Sequence, residues 1–435
     1  MNAGAALKRS YVVVYIVALI ILMSSIYIHH PRTPLPSYLV GLKYSDIVYG
    51  VFFNIFSYEY VGRPQDLEKV WYEPLPYIKL VSGIRVCPRP YVDYFMEYPP
   101  LIGLIWWLTT CTSISTTFPP KYKSLDYPRL LWYTAEKHYL LQSLILAASF
   151  LILIAYIVKL MEYIGGCWKR VLVFILLPST FVYLIYNWDI IAATFYVMSL
   201  YYLVRGRLFI SSTLLCLAVS AKLLPILFAL VLLVKSFIDG EAKMKVIRVY
   251  ATSSLILSSI PFLLLLLISP KAVLDFIIYH SSWYCENCIY MLLIHDIGSE
   301  LHRILAFITG LSIMLIAIRR VSIDRSVQGF LLLGFISILI STSLSYVFSP
   351  QMMLMISPLA VILLRRRLLL PFIIADIANA LIILTFFNDL WIRSALGLKL
   401  VHSPWTIDSP TQWIAMVRNV ILIAILIYML RTTRS

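Results

Sequence analysis

The 435-residue chain is 61% hydrophobic and only 13% charged, a balance far more apolar than soluble domains need. Its net charge of +15 would suit a nucleic-acid partner in a soluble protein, but the basic residues sit in short clusters between apolar runs, as orientation signals do. Nucleic acid is therefore set aside. The expected fold is an all-α polytopic membrane protein of about twelve transmembrane segments, treated as a single integral membrane domain over 1–435.

The first apolar run, residues 11–28, reads "YVVVYIVALIILMSSIYI" after Lys8-Arg9. It is long and lacks a small-residue cleavage site before "HHPRTPLP", so it reads as a retained first helix rather than a leader. Residues 29–138 then form a loop too long for a simple connector. Two surface helices are expected in it, one near "SDIVYGVFFNIFSYEYV" and one at "EYPPLIGLIWW". The second is ambiguous, because it resembles the start of a span. A crossing at Tyr98–Ser115 would turn Lys169-Arg170, Arg205/Arg207, Arg319-Arg320 and Arg365-Arg366-Arg367 outward, against the positive-inside rule at every one of those loops. The interfacial reading keeps them all cytoplasmic, together with both termini, and puts Trp106-Trp107 at the headgroup boundary.

Residues 139–364 are expected to form the core bundle, with outward turns that stop short of the outer surface. Leu208–Val234 lies between basic flanks that should both be cytoplasmic, so it must enter and return. Each arm has about 13 residues, roughly 20 Å of helix against roughly 30 Å of hydrocarbon. Lys222, in the tip "SAKLLP", should therefore be sunk in a protein-lined, hydrated recess. "NWD" (Asn187, Trp188, Asp189) and "SPQ" (Ser349, Pro350, Gln351) also adjoin short arms, and the three tips imply one cavity that opens outward. Residues 368–435 supply the C-terminal helices; there Asp376 and Asn379, one turn apart, are read as a buried hydrogen-bonding pair rather than a proton relay.

"YSDI", "EYPPLIG", "NWDIIA", "RGR…AVSAKLLP" and "FSPQMML" follow one another over roughly 300 residues. In order and spacing they resemble the polyprenyl-phosphate-dependent glycosyltransferases of the GT-C superfamily, closest to glycosyltransferase family 87, the integral-membrane mannosyltransferase-like group. The resemblance implies a multi-pass enzyme of the cell membrane with an outward active site. It would pass a hexose, mannose first, from a polyprenyl-phosphate donor to a lipid-linked or cell-envelope acceptor, with inversion. The resemblance also implies a first-loop carboxylate as base, and Asp46 in "YSDI" is the matching position.

Such a transfer needs an acid-base group near the acceptor hydroxyl and cations near the departing phosphate. Asp46 and Glu97 are the candidate catalytic residues. Against them stand a helix-capping role for Ser45 or Asp46 and a first-turn dipole role for Glu97. Asn187, Trp188, Asp189, Lys222, Arg303 and Gln351 are the candidate substrate-binding residues, with Lys222 facing the lipid phosphate or, structurally, pairing with Asp189. No metal is required, although magnesium or manganese held by Asp46, Glu97 or Asp189 is the alternative. Cys285 and Cys288 in "CENC", with His280 and His295 nearby, invite zinc; a lone CxxC on an oxidising face reads better as a disulfide, with Glu286 between them facing either the loop or the cavity. The sequence has no GxGxxG, Walker or HExxH motif. The alternative function is a secondary transporter or lipid-carrier flippase, but no inverted repeat is evident and the polar tips cluster toward the outer side.

Overall fold

The structure is a computed structural model that describes residues 3–57, 70–239, 244–323 and 327–432, with side chains from residue 11 onward. The tail of the first expected surface helix (58–61) and the basic residues Lys243 and Arg434 lie outside the described residues, as do the side chains of Lys8 and Arg9. Helices dominate, and among the described residues β-structure is limited to isolated bridges.

In chain order the α-helices are α1 (Ala3–His29), α2 (Phe53–Phe56), α3 (Leu75–Val81), α4 (Pro100–Thr117), α5 (Tyr127–Tyr163), α6 (Lys169–Leu176), α7 (Pro178–Tyr183), α8 (Asp189–Val204) and α9 (Leu208–Ala221). They continue as α10 (Ile226–Ile238), α11 (Met244–Ile268), α12 (Pro270–Ser282), α13 (Leu301–Arg320), α14 (Val327–Ser343), α15 (Met353–Leu363), α16 (Arg366–Phe387), α17 (Asp389–Ala395) and α18 (Pro410–Thr432). Every apolar run expected from the sequence is helical. Among the described residues, six helices are long and apolar enough to cross a membrane, namely those containing Tyr11–His29, Ser124–Tyr163, Met244–Ile268, Leu301–Arg320, Arg366–Phe387 and Pro410–Thr432. A bent pair, Ser37–Lys43 with Asp46–Phe56, makes a seventh only if its 81° break is ignored. The chain is a multi-pass membrane protein.

The remaining apolar helices are shorter, five of them 10–17 residues, and prolines set several of their breaks. Leu177 is extended ahead of Pro178, so the helix breaks between α6 and α7. Lys222 is extended at the end of α9, and Pro225 starts α10 three residues later, so the two short arms expected here are present. Helices α8 and α15 are walled in by their neighbours; Ile190, Ala192, Tyr196 and Leu200 of α8 and Met353, Leu354, Ile356 and Leu359 of α15 are 0% exposed. The α8–α9 and α9–α11 contacts and the α16–α18 contact build the bundle around them.

Four elements depart from expectation, α3 (Leu75–Val81) being a further helix in the first loop. Helix α5 begins at Tyr127, not near Tyr139, because "YPRLLWYTAEKH" is strongly helix-forming although its charges depress its hydropathy. Pro270–Ser282 is a helix, started by Pro270 at its first position and capped by Ser269, whose hydroxyl accepts from the Ala272 amide at 3.4 Å. Helix α17 was also not foreseen.

Candidate active site

The "YSDI" segment meets the "NWD" turn at one end of the bundle. Ser45 caps the π-helical turn Asp46–Phe52, its hydroxyl accepting from the Val48 amide at 3.4 Å. The cap is thus supplied by Ser45, and the Asp46 carboxylate is left for other partners. Asp46 donates its amide to the Tyr186 carbonyl (3.0 Å), and its Oδ2 accepts from Asn187 Nδ2 at 2.6 Å and from the Tyr98 hydroxyl at 3.3 Å. Gly50 leaves room for it, since a Cβ there would come within 2.9 Å of Asp46 Oδ1 and 3.0 Å of the Tyr44 hydroxyl.

Asp46 is half-buried, and burial pushes its carboxyl up to about 7. The nearby charge of Glu97 pushes the same way, as does that of Glu286 more weakly, while the bonds from Asn187 and Tyr98 oppose them. Glu97 is likewise half-buried and raised, first by burial; the Tyr279 hydroxyl of α12 donates to its Oε2 and works against the shift. The two carboxylates of the first loop therefore share one electrostatic environment, with Tyr98 between them.

Asp189 opens α8 at 1% exposure, and Lys222 Nζ lies 3.0 Å from its Oδ1 and 3.3 Å from its Oδ2, the latter being the directed hydrogen bond. Lys222 stays 19% exposed, and its charge acts on Glu97. Asn187 and Trp188 are also in place, but Trp188 is 1% exposed, edge-on to Tyr98 at 4.5 Å, and donates its indole N–H to Gln142 Oε1 at 2.9 Å. That ring props Tyr98 from behind rather than lining open space.

Two expected binding residues sit at the margin. Gln351 lies in the turn Pro350–Met352 at 8% exposure, anchored through the bond from Asn379 Nδ2 to the Pro350 carbonyl at 2.8 Å. Arg303 is occupied within its own loop, pairing with Glu300 at 3.2 Å and donating to the Trp283 carbonyl at 3.3 Å. Trp283 in turn donates its indole N–H to Glu286 Oε2 at 3.0 Å. Glu286 is thereby bonded within its own loop, and its charge also acts on Asp46 and Glu97. Tyr98, Tyr279 and Glu286 are the members that sequence reading missed or left open. Tyr98 lies inside the "EYPP" motif and was readable as its neighbour; Tyr279 gave no signal, because it depends on α12 being helical.

Among the described residues the acids do not close into a cation cage. Asp189 is committed to Lys222 and Asp46 to Asn187 and Tyr98, whereas the described His, Cys and acid side chains that do converge, with ligand atoms within 4.8 Å, are Cys285, Cys288 and His302. In that group Cys285 and Cys288 form a disulfide; Cys87 and Cys111 form another, tying the first loop to α4. His280 bonds the Phe276 carbonyl at 2.9 Å within its own helix.

Deeper in the bundle, Asp376 and Asn379 are joined through Ser179. The Ser179 amide donates to Asp376 Oδ2 at 2.9 Å, and Asn379 Nδ2 donates to the Ser179 hydroxyl at 2.9 Å.

No protein-family model matches the chain, and no curated protein does. Among solved structures, that of ArnT from Cupriavidus metallidurans in the apo state is similar at a TM-score of 0.47 and 16% identity, over 98% of this chain and 78% of that one.

Proposed function

We propose that the chain is a membrane glycosyltransferase of the GT-C type, which moves a hexose, mannose first, from a polyprenyl-phosphate donor to an acceptor hydroxyl on a lipid-linked or cell-envelope glycan at the outer face. One observation carries the reading: a half-buried Asp46, raised to about 7 and held by Asn187 and Tyr98, sits in one cluster with Glu97 and an exposed edge of Lys222. A base poised near working pH beside a fixed cation is what an inverting transfer from a lipid phosphate requires.

In this reading the acceptor oxygen attacks the anomeric carbon, the bond from that carbon to the phosphate oxygen breaks, and the acceptor proton passes to Asp46. The departing lipid phosphate takes the bonding electron pair, and Lys222 neutralises the added charge while Asp189 holds its ammonium in place. Glu97, bonded by Tyr279, orients the acceptor. No step is routed through a metal.

The test is transfer of labelled mannose from polyprenyl-phosphate mannose by purified protein. Asp46→Asn is expected to cut turnover about 10²–10⁴-fold without loss of donor binding. EDTA is expected to leave wild-type turnover unchanged; loss restored by magnesium or manganese would bring back the cation alternative. Equal turnover in the two proteins sinks Asp46 as base, and no turnover with any polyprenyl donor favours the transporter or flippase reading.

A further inference from the structure

Arg418, in the last helix, is 0% exposed, and no ion pair among the described residues includes it. A buried guanidinium without a carboxylate is expensive, and an apolar residue would join α16 to α18 at lower cost. What distinguishes arginine here is its planar fork of donors. Nε donates to Asn419 Oδ1 at 3.0 Å, Nη1 to Asn379 Oδ1 at 2.7 Å, and Nη2 to two main-chain carbonyls, Asn287 at 3.3 Å and Phe348 at 3.1 Å. The Phe348 ring covers the guanidinium at 3.6 Å.

Those two carbonyls belong to the segments that carry Glu286 and lead into Gln351. Asn287 follows Glu286, and Phe348 precedes Ser349-Pro350-Gln351. The segments are laced together, the Glu286 amide donating to Tyr346 O at 3.1 Å and the Phe348 amide to Glu286 O at 2.9 Å. Asn287 adopts φ +51°, a left-handed turn that asparagine tolerates, and it is pinned from α18: Asn419 Nδ2 bonds its carbonyl at 2.8 Å and Gln412 Nε2 its Oδ1 at 3.0 Å.

We propose that Arg418 is a positioning residue that clamps Glu286–Asn287 against Tyr346–Phe348 from the last helix, and so sets Glu286 as a third carboxylate over Asp46 and Glu97. The charge of Glu286 acts on Asp46, Glu97 and Arg418, and on Tyr44, Tyr186, Tyr279 and Tyr284 around them. The kinetic consequence rests on the Asp46 reading above; the clamp does not.

The experiment compares purified full-length wild type, Arg418→Gln, Glu286→Gln and the double variant in detergent, by hydrogen exchange and by the pH dependence of transfer. In Arg418→Gln the peptides holding the Glu286 and Phe348 amides should exchange roughly tenfold faster, while the Asp46 peptide is unchanged. The acid limb of the rate profile should move to lower pH, as in Glu286→Gln, because displacing that carboxylate lowers Asp46; the double variant should move it no further. A merely structural arginine would lower the rate at every pH and leave the limb in place. Unchanged exchange at Glu286 and Phe348 overturns the clamp, whether or not the protein proves to be a transferase. Faster exchange with an unmoved limb, while Glu286→Gln moves it, overturns the link to Glu286. Should Arg418→Gln fail to fold, Arg418→Lys carries the same readouts, since an ammonium keeps the charge but cannot span both carbonyls and Asn379.

Discussion

Asp46 is governed by opposing neighbours, and they can be separated by the sign of what each substitution does. The Asn187 amide stabilises the ionised carboxylate, so Asn187→Ala should raise Asp46 and move the acid limb of turnover to higher pH. Glu97 acts the other way, so Glu97→Gln should lower Asp46 and move the limb to lower pH. Opposite displacements in the two pH–rate profiles are the expected outcome; movement in the same direction would mean that a group other than Asp46 controls the limb. The Lys222–Asp189 pair shows what sequence can and cannot give at this scale. Membrane depth alone demanded a partner for Lys222, and Asp189 was already one of the two candidates. The 19% exposure that Lys222 retains goes with an extended backbone at the end of α9, which hydropathy does not encode.

At the scale of elements, the site depends on how the first loop is pinned. Tyr91 donates its hydroxyl to the Tyr98 carbonyl at 2.6 Å and reaches the Pro99 carbonyl at 3.0 Å, holding the chain just after Glu97. Its ring lies flat against Gly103 on the first turn of α4, where a Cβ would collide with it. Gly103→Ala should therefore displace Tyr91 and loosen Glu97 and Tyr98 together, at a cost of about 1–3 kcal/mol. The expected result is a folded protein with a lowered melting temperature and weakened turnover. Full activity in Gly103→Ala would show that the loop is pinned elsewhere. Elements were legible where apolar length or a proline defined them, as in α9 and α10. They were not legible in α12 or the first turns of α5, where Lys271, Asp275 and His280, and Arg129, Glu136 and Lys137, pull hydropathy below that of a span, and Tyr279 was lost with them.

At the scale of the molecule, the two ends differ in charge chemistry. At one end, cations sit on the carbonyls of helix C-termini: Arg170 bonds Val361 and Ile362 at 3.2 Å, Arg320 bonds Leu430 at 3.2 Å, and Lys235 bonds Ile318 at 2.9 Å. Tyr163 joins the same end through Val204 at 3.1 Å. The end that gathers Asp46, Glu97, Asp189 and Glu286 is acidic by contrast. On the positive-inside rule the basic end is expected to face the cytoplasm and the carboxylate cluster the outer face. Cys167, exposed between α5 and α6 at the basic end, is a native probe of that assignment, because the other free thiol among the described residues, Cys216, is half-buried against the Leu257 carbonyl. A membrane-impermeant maleimide should leave Cys167 unlabelled in sealed right-side-out vesicles and label it after permeabilisation, with Cys167→Ser removing the signal. Labelling in the sealed vesicles would invert the molecule, place Asp46 and Lys222 in the cytoplasm, and leave a polyprenyl-phosphate donor presented at the outer face out of reach.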